Sequence, residues 1–69
     1  MIVWTKEKKK IAVGSQVRFQ SGRFLRSKIR VEYFSTFEGE NVAHLIVRML
    51  DSNRTFPAIA WVKDLEPVD

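Results

Sequence analysis

The clearest hydrophobic pattern in this sequence is the apolar run over residues 42–50, which only His44 and Arg48 interrupt. Its branched side chains suit a pleated surface, and turn-forming residues flank it on both sides. We therefore predict a central β-strand, although Leu, Ala and Met also permit a helix. With a period of two, one face is wholly apolar and consists of Ala43, Leu45, Val47 and Met49. The opposite face is mixed, with His44, Ile46, Arg48 and Leu50.

Shorter alternating stretches predict three more strands, at residues 16–20, 28–34 and 55–62. Apolar residues recur at every second position in the first two, and two alanines in the third indicate close packing on one face. The positions that this alternation assigns to one side of each strand are Val17, Phe19, Ile29, Val31, Tyr33, Ala58 and Ala60.

Turn-forming residues mark the connections between these strands. Residues 35–41 predict the turn of a hairpin with positive φ at Gly39, and residues 51–54 predict a second turn. Residues 21–27 predict an irregular loop whose Phe24 and Leu25 fold back over the end of the sheet. Residues 1–5 predict an edge strand or a segment that docks Trp4, and residues 65–68 predict a last extended segment.

Four or five short strands with tight connections predict an all-β fold, either a small five-stranded barrel or a strongly bent antiparallel sheet. Closure into a barrel removes the unpaired edges that invite aggregation. The 69 residues make one domain, in which residues 1–10 form an N-terminal strand or arm with a basic cluster and residues 11–69 form the barrel. A five-stranded oligonucleotide-binding barrel is the alternative, but it usually needs a longer chain and a helix.

Two segments resemble a known family. Residues 13–19 (Val-Gly-Ser-Gln-Val-Arg-Phe) are similar to the first strand of SH3-like barrels of the KOW and Tudor kind, in which a glycine precedes an alternating strand. Residues 61–68 (Trp-Val-Lys-Asp-Leu-Glu-Pro-Val) resemble the end of these barrels, where a short turn precedes the final strand. The resemblance implies a five-stranded SH3-like barrel over residues 11–69. Such barrels commonly bind partner chains and are often small parts of larger assemblies.

The charges are unevenly distributed along the chain, whose net charge is +4. Residues 1–30 hold nine of the twelve Lys and Arg residues and one of the eight acidic residues, a net charge of +8. Residues 31–69 carry a net charge of −4. This asymmetry indicates a basic surface that faces a polyanion, unless folding interleaves the two halves and neutralises their charges.

No catalytic or metal-binding motif is present, and we expect neither enzyme activity nor a cofactor. His44 is the only histidine and cysteine is absent, so a metal site or a thiol nucleophile lacks its usual ligands. Glu38 and Glu40 flank Gly39, where they more plausibly solvate a hairpin tip than bind Mg²⁺. No secretory signal or membrane-spanning run is recognisable, so we expect a cytoplasmic protein without membrane contact.

The constellation that suggests a function is basic and aromatic. Cationic side chains neutralise phosphates and aromatic rings stack on unpaired bases, so together they favour DNA or RNA binding. The predicted nucleic-acid-binding residues are Arg18, Arg23, Phe24, Arg26, Lys28 and Arg30, assisted by Lys8, Lys9 and Lys10.

A second hypothesis is a protein-interaction module or an accessory subunit of a larger assembly. It rests on aromatic residues beyond the needs of a small core: Trp4, Phe34, Phe37 and Trp61. Self-association by strand addition through residues 1–4 is one form of it. An aromatic cage for methylated lysine or arginine, built from Tyr33, Phe34 and Trp61, is a third use.

Overall fold

A computed structural model describes residues 2–5 and 8–68, which form seven β-strands and one short 3₁₀ helix. No α-helix occurs in this part of the chain. The elements are β1 (Ile2–Trp4), β2 (Lys10–Ala12), β3 (Gln16–Phe19), β4 (Ser27–Phe37), β5 (Glu40–Met49), β6 (Thr55–Trp61), the 3₁₀ helix (Val62–Asp64) and β7 (Leu65–Pro67). The predicted all-β class is confirmed.

The strands form two antiparallel sheets. A five-stranded sheet has the order β6-β5-β4-β3-β7, and β1 pairs with β2 in a separate two-stranded sheet. Within the described ranges no ladder joins β6 to β7, so the larger sheet is not closed into a barrel by backbone pairing. The predicted central strand is β5, which pairs with β4 on one side and β6 on the other.

The core lies between the inner face of the five-stranded sheet and the two-stranded sheet. Alternation along β5 places Ala43, Leu45 and Val47 in it, as the hydrophobic pattern predicts. Val3 from β1 and Ile11 from β2 cover this face and are almost fully buried. Burial of these side chains supplies the main stabilising free energy of the fold, since the chain has no disulfide.

A β-bulge in β4 sets the faces of this sheet. The ladder with β5 pairs Val31 with Leu45 and then Tyr33 with His44, so Glu32 is an extra residue. The extra residue reverses the alternation of β4 beyond that point. Tyr33 consequently lies on the outer face, 49% exposed, and its predicted place beside Ile29 and Val31 is wrong.

The turn between β4 and β5 is shorter than residues 35–41. Phe37 pairs with Glu40, which leaves Glu38 and Gly39 as a two-residue connection. Both have positive φ, 52° and 79°, the pattern of a type I′ turn whose twist matches that of the flanking strands. The hairpin itself is confirmed, but toward the turn β4 runs three residues and β5 two residues beyond the predicted limits of 34 and 42.

Replacing Glu38 with Asn should stabilise the protein. A left-handed backbone is costly for a residue with a long side chain, and asparagine tolerates it best among non-glycine residues. We expect Glu38→Asn to raise the free energy of unfolding by about 0.5–2 kcal/mol, measured by urea denaturation. Glu40→Asn makes the same chemical change in β5 and should give no gain; equal effects would mean that lost charge, not turn geometry, is responsible.

Two other predicted placements change in the structure. Trp4 remains exposed, because alternation along β1 turns Val3 rather than Trp4 toward the core. In the loop after β3, Phe24 packs against the core as predicted, whereas Leu25 is 75% exposed. Phe24 and Arg26 both have positive φ. The backbone therefore turns sharply on both sides of Leu25, and the side chains of Phe24 and Leu25 differ in burial.

Candidate functional site

The outer face of the five-stranded sheet, opposite the core, is the candidate site. Rows of side chains cross it from β4 through β5 to β6, as the strand register defines. One half carries cations and the other half carries aromatic rings. The rows are Lys28–Arg48–Thr55, then Arg30–Ile46–Pro57, then Tyr33–His44–Ile59, and finally Ser35–Val42–Trp61.

The basic half forms a groove of about 410 Å³. Its cations are Lys28 and Arg30 from β4 and Arg48 from β5, and Ile46 forms part of its floor. Glu32 is the one carboxylate among its lining residues. We call Lys28, Arg30 and Arg48 with this lining the basic groove; its excess positive charge suits a polyanionic ligand.

Arg48 is held in place within the groove by the β5–β6 turn. Its Nε and Nη2 atoms donate hydrogen bonds of 2.9 and 2.7 Å to Oδ1 of Asn53. Asn53 has a φ of 57°, a conformation that asparagine adopts more readily than most residues. This contact orients the guanidinium and leaves its other N–H groups for a ligand.

Lys28 lies directly opposite Arg48 in the ladder. Like charges in directly opposed positions destabilise a sheet, by an amount on the order of 0.2–1 kcal/mol. The described contacts of this pair include no carboxylate that would compensate for the repulsion. The charges of this pair therefore do not help β4 to pair with β5, and they leave this end of the outer face positively charged.

The remaining predicted basic residues lie outside this groove. Arg18 on β3 donates a 2.6 Å hydrogen bond to Glu66 of β7, which partly neutralises its charge. The guanidinium of Arg23 lies over the rings of Phe19 and Phe24, at 5.3 and 5.7 Å. Arg18, Arg23, Phe24 and Arg26 together line a neighbouring hollow of about 400 Å³ at the loop after β3, which shares Gln16 and Ile29 with the basic groove.

Lys8, Lys9 and Lys10 are placed on the β1–β2 hairpin and do not join the groove. All three are exposed, and the hairpin is closed by hydrogen bonds between Thr5 and Lys9 and between Lys8 and Thr5. Trp4 and Thr5 of this hairpin border Glu40 and Asn41 at the start of β5. This end of the five-stranded sheet is the far end from Arg26. Lys6, the first lysine of the predicted cluster, lies outside the described residues.

The aromatic half begins at the bulge. The rings of Tyr33 and His44 stack with centroids 4.1 Å apart and an interplanar angle of 13°. Nε2 of His44 is hydrogen bonded to Oγ of Ser35 at 2.8 Å, which fixes the imidazole orientation. One face of each ring is covered by the other, and Tyr33 remains half exposed to solvent.

Beyond this stack lies a second aromatic pair. Phe37 and Trp61 are tilted at 51° with centroids 6.0 Å apart, and the Lys63 ammonium lies 5.5 Å from the Trp61 ring. Phe37 and Ile59 are 59% and 67% exposed. A hollow of about 350 Å³ is lined by His44, Phe37, Ile59 and Trp61. We call Tyr33, His44, Phe37 and Trp61 the aromatic platform.

The methyl-lysine cage does not form from the predicted residues. Tyr33 lies on the outer face, whereas Phe34 packs against the core on the inner face. Because the sheet separates these two rings, they cannot surround one cation together.

The Ser35–His44 contact has the distance of a nucleophile–base pair, but it lacks the other parts of such a site. A catalytic pair needs a third group that orients the imidazole. Within residues 2–5 and 8–68, the imidazole of His44 is hydrogen bonded only to Ser35. In the same ranges no group of three or more His, Asp or Glu side chains is placed to hold a metal ion. The contact therefore explains the orientation of the ring.

Sequence reasoning missed Arg48 and the aromatic platform. The positions of Lys28 and Arg48 are 20 residues apart, and only the register of the β4–β5 ladder, including its bulge, brings them together. The sequence offered one signal for the Tyr33–His44 pair, the positive φ expected at Gly39. A two-residue turn at Glu38 and Gly39 pairs Phe37 with Glu40, and counting back along both strands pairs Tyr33 with His44.

Comparison with known proteins adds no assignment: no family model matches the chain, and neither a curated protein nor a solved structure matches it significantly. The described part of the chain contains no helix long and apolar enough to cross a membrane.

Proposed function

We propose that this chain is a small, non-enzymatic nucleic-acid-binding protein that contacts phosphates through the basic groove. The observation that carries the proposal is the unfavourable opposition of Lys28 and Arg48, with Arg30 in the next row. A polyanion bound there would relieve the repulsion and release counterions from its phosphates. Residues that lower stability without local compensation are expected at functional sites.

We further propose that the two sheets represent a small barrel of the SH3-like, KOW or Tudor kind. The 3₁₀ helix before β7 and the antiparallel pairing of β7 with β3 support this proposal. The resemblance of residues 13–19 and 61–68 involves those same two strands. In that arrangement the outer face of β4 and β5 is a broad and continuous binding surface.

The first test is binding of labelled DNA and RNA by fluorescence anisotropy across a salt series. Three phosphate contacts predict a slope of about −2 in log affinity against log salt for a single strand. Between about 50 and 200 mM salt, the affinity should fall roughly tenfold to twentyfold. Salt-independent affinity, or no binding at about 50 mM salt where the electrostatic attraction is strongest, would rule out the groove as a phosphate-binding surface.

A protein-interaction module is the second candidate, and the exposure of Phe37 and Ile59 on the outer face favours it. Exposed apolar side chains that cluster on one face often mark a partner site. This candidate predicts weak salt dependence and, where the partner is a second copy, a mass that rises with protein concentration in analytical ultracentrifugation.

A further inference from the structure

We propose that the aromatic platform stacks unpaired bases, so that the ligand of the outer face is single-stranded nucleic acid. This inference rests on the proposed function, because the phosphates of the same strand would lie in the basic groove. The shared chemistry is that of unpaired bases on a phosphodiester backbone, which both DNA and RNA provide. The inference thus specifies single strands as the class of nucleic acid, and it adds base stacking to the phosphate contacts.

The two halves of the outer face are continuous. Arg30 and Ile46 form the row next to Tyr33 and His44, two residues along β5, a separation of about 7 Å. A strand that places a phosphate at Arg30 therefore has its neighbouring base within reach of the Tyr33 ring. A duplex keeps its bases paired and stacked inside, so it offers only its backbone to this face.

The rings are arranged to receive planar groups. Tyr33 is already stacked on His44, whose orientation Ser35 fixes, so little side-chain freedom is lost when a base is added to the stack. Lys63 lies over Trp61 at the far end of the platform and supplies a cation beyond the basic groove. Phe37 at this end is paired with Glu40, so the net positive charge that would meet a phosphate backbone lies at the Arg30 end, beside the Tyr33 ring.

Charge as well as shape favours a single strand of nucleic acid as the occupant of the outer face. Lys63 lies over the ring of Trp61, one of the residues that line the apolar hollow of about 350 Å³, and the row beside Tyr33 and His44 carries Arg30. An apolar protein segment would cover the rings but would leave the basic groove without a counterion partner. A single strand satisfies both halves with one ligand, which is why we prefer it to a protein partner.

The test compares Tyr33→Leu with Tyr33→Phe. Leucine keeps an apolar side chain but removes the ring, whereas phenylalanine keeps the ring. We expect Tyr33→Leu to weaken binding of a labelled twelve-nucleotide single strand by about tenfold to hundredfold, and Tyr33→Phe to restore most of the affinity. Trp4→Leu, which removes an exposed ring from the two-stranded sheet, should leave the affinity unchanged.

Ligand controls separate stacking from charge. Single-stranded DNA and RNA should each bind more tightly than the matching duplex or an abasic strand of the same length. Comparing the affinities for the DNA and the RNA strand then shows which of the two the protein prefers. In a Trp4→Phe background, the single strand should also quench the fluorescence of Trp61, and the abasic strand should not.

The outcomes distinguish this inference from the proposed function. If single strand, duplex and abasic strand bind equally with a steep salt dependence and Tyr33→Leu has no effect, the groove binds phosphates but the platform does not stack bases. If no nucleic acid binds at low salt, both proposals are wrong. A concentration-dependent mass would then assign the platform to contact between copies of this chain.

Discussion

Replacing Leu45 with Ala is expected to cause a large loss of stability in this protein. Leu45 is 1% exposed, and it lies in the central strand between Val31 on β4 and Ala58 on β6. Both neighbours are fixed by backbone ladders, so the structure can collapse only partly into the cavity left by the lost side chain. Substitutions of this kind typically cost about 2–5 kcal/mol.

That cost is large compared with the total stability of so short a chain. At about 0.05–0.15 kcal/mol per residue, a domain of this size has a free energy of unfolding of roughly 3–10 kcal/mol. We therefore expect the urea midpoint of Leu45→Ala to fall by at least about a fifth, measured by circular dichroism. Leu25→Ala removes the same atoms from an exposed loop and should change the free energy of unfolding by less than about 0.5 kcal/mol.

Comparable losses in the two leucine variants would contradict the assignment of the inner face. That assignment follows from the sequence alone, because the apolar residues of β5 recur with a period of two and no bulge interrupts the strand. The same pattern correctly places Val17 and Phe19 on the inner face of β3. Where one strand keeps one period, sequence reasoning is sufficient.

The prediction breaks down in β4, where two local requirements conflict. The turn at Glu38 and Gly39 pairs Tyr33 with His44, whereas the core requires Val31 opposite Leu45. These pairings differ by one residue, and the bulge at Glu32 absorbs the difference. Alternation is a local property of one strand, so it cannot show a register conflict that arises only when two strands pair.

The candidate site was predictable in part for the same reason. Lys28 and Arg30 lie on the outer face because they alternate with buried residues of the same strand. Arg48 joins them only through the β4–β5 register, and the platform exists only because the bulge turns Tyr33 outward. Arg23 and Arg26 lie in a loop, where no period constrains the direction of a side chain.

Reversing two charges in the groove should separate its function from its stability. In the variant Lys28→Glu/Arg30→Glu, position 28 carries a glutamate opposite Arg48, so a destabilising pair of like charges becomes a stabilising pair of opposite charges. We expect this double variant to be at least as stable as the natural sequence in urea denaturation. A loss of binding therefore cannot be attributed to unfolding.

The expected effect on nucleic-acid binding is large. Losing two of three phosphate contacts should reduce the salt slope for a single strand from about −2 to about −0.7 and lower the affinity at about 50 mM salt by more than tenfold. The matched control is Lys8→Glu/Lys10→Glu, which makes the same change in net charge on exposed residues of the β1–β2 hairpin. If both double variants lose affinity equally, binding depends on overall charge and the basic groove is not the binding site. A selective loss in the Lys28/Arg30 variant, with stability retained, would indicate that the opposed cations are kept for binding at a cost to folding.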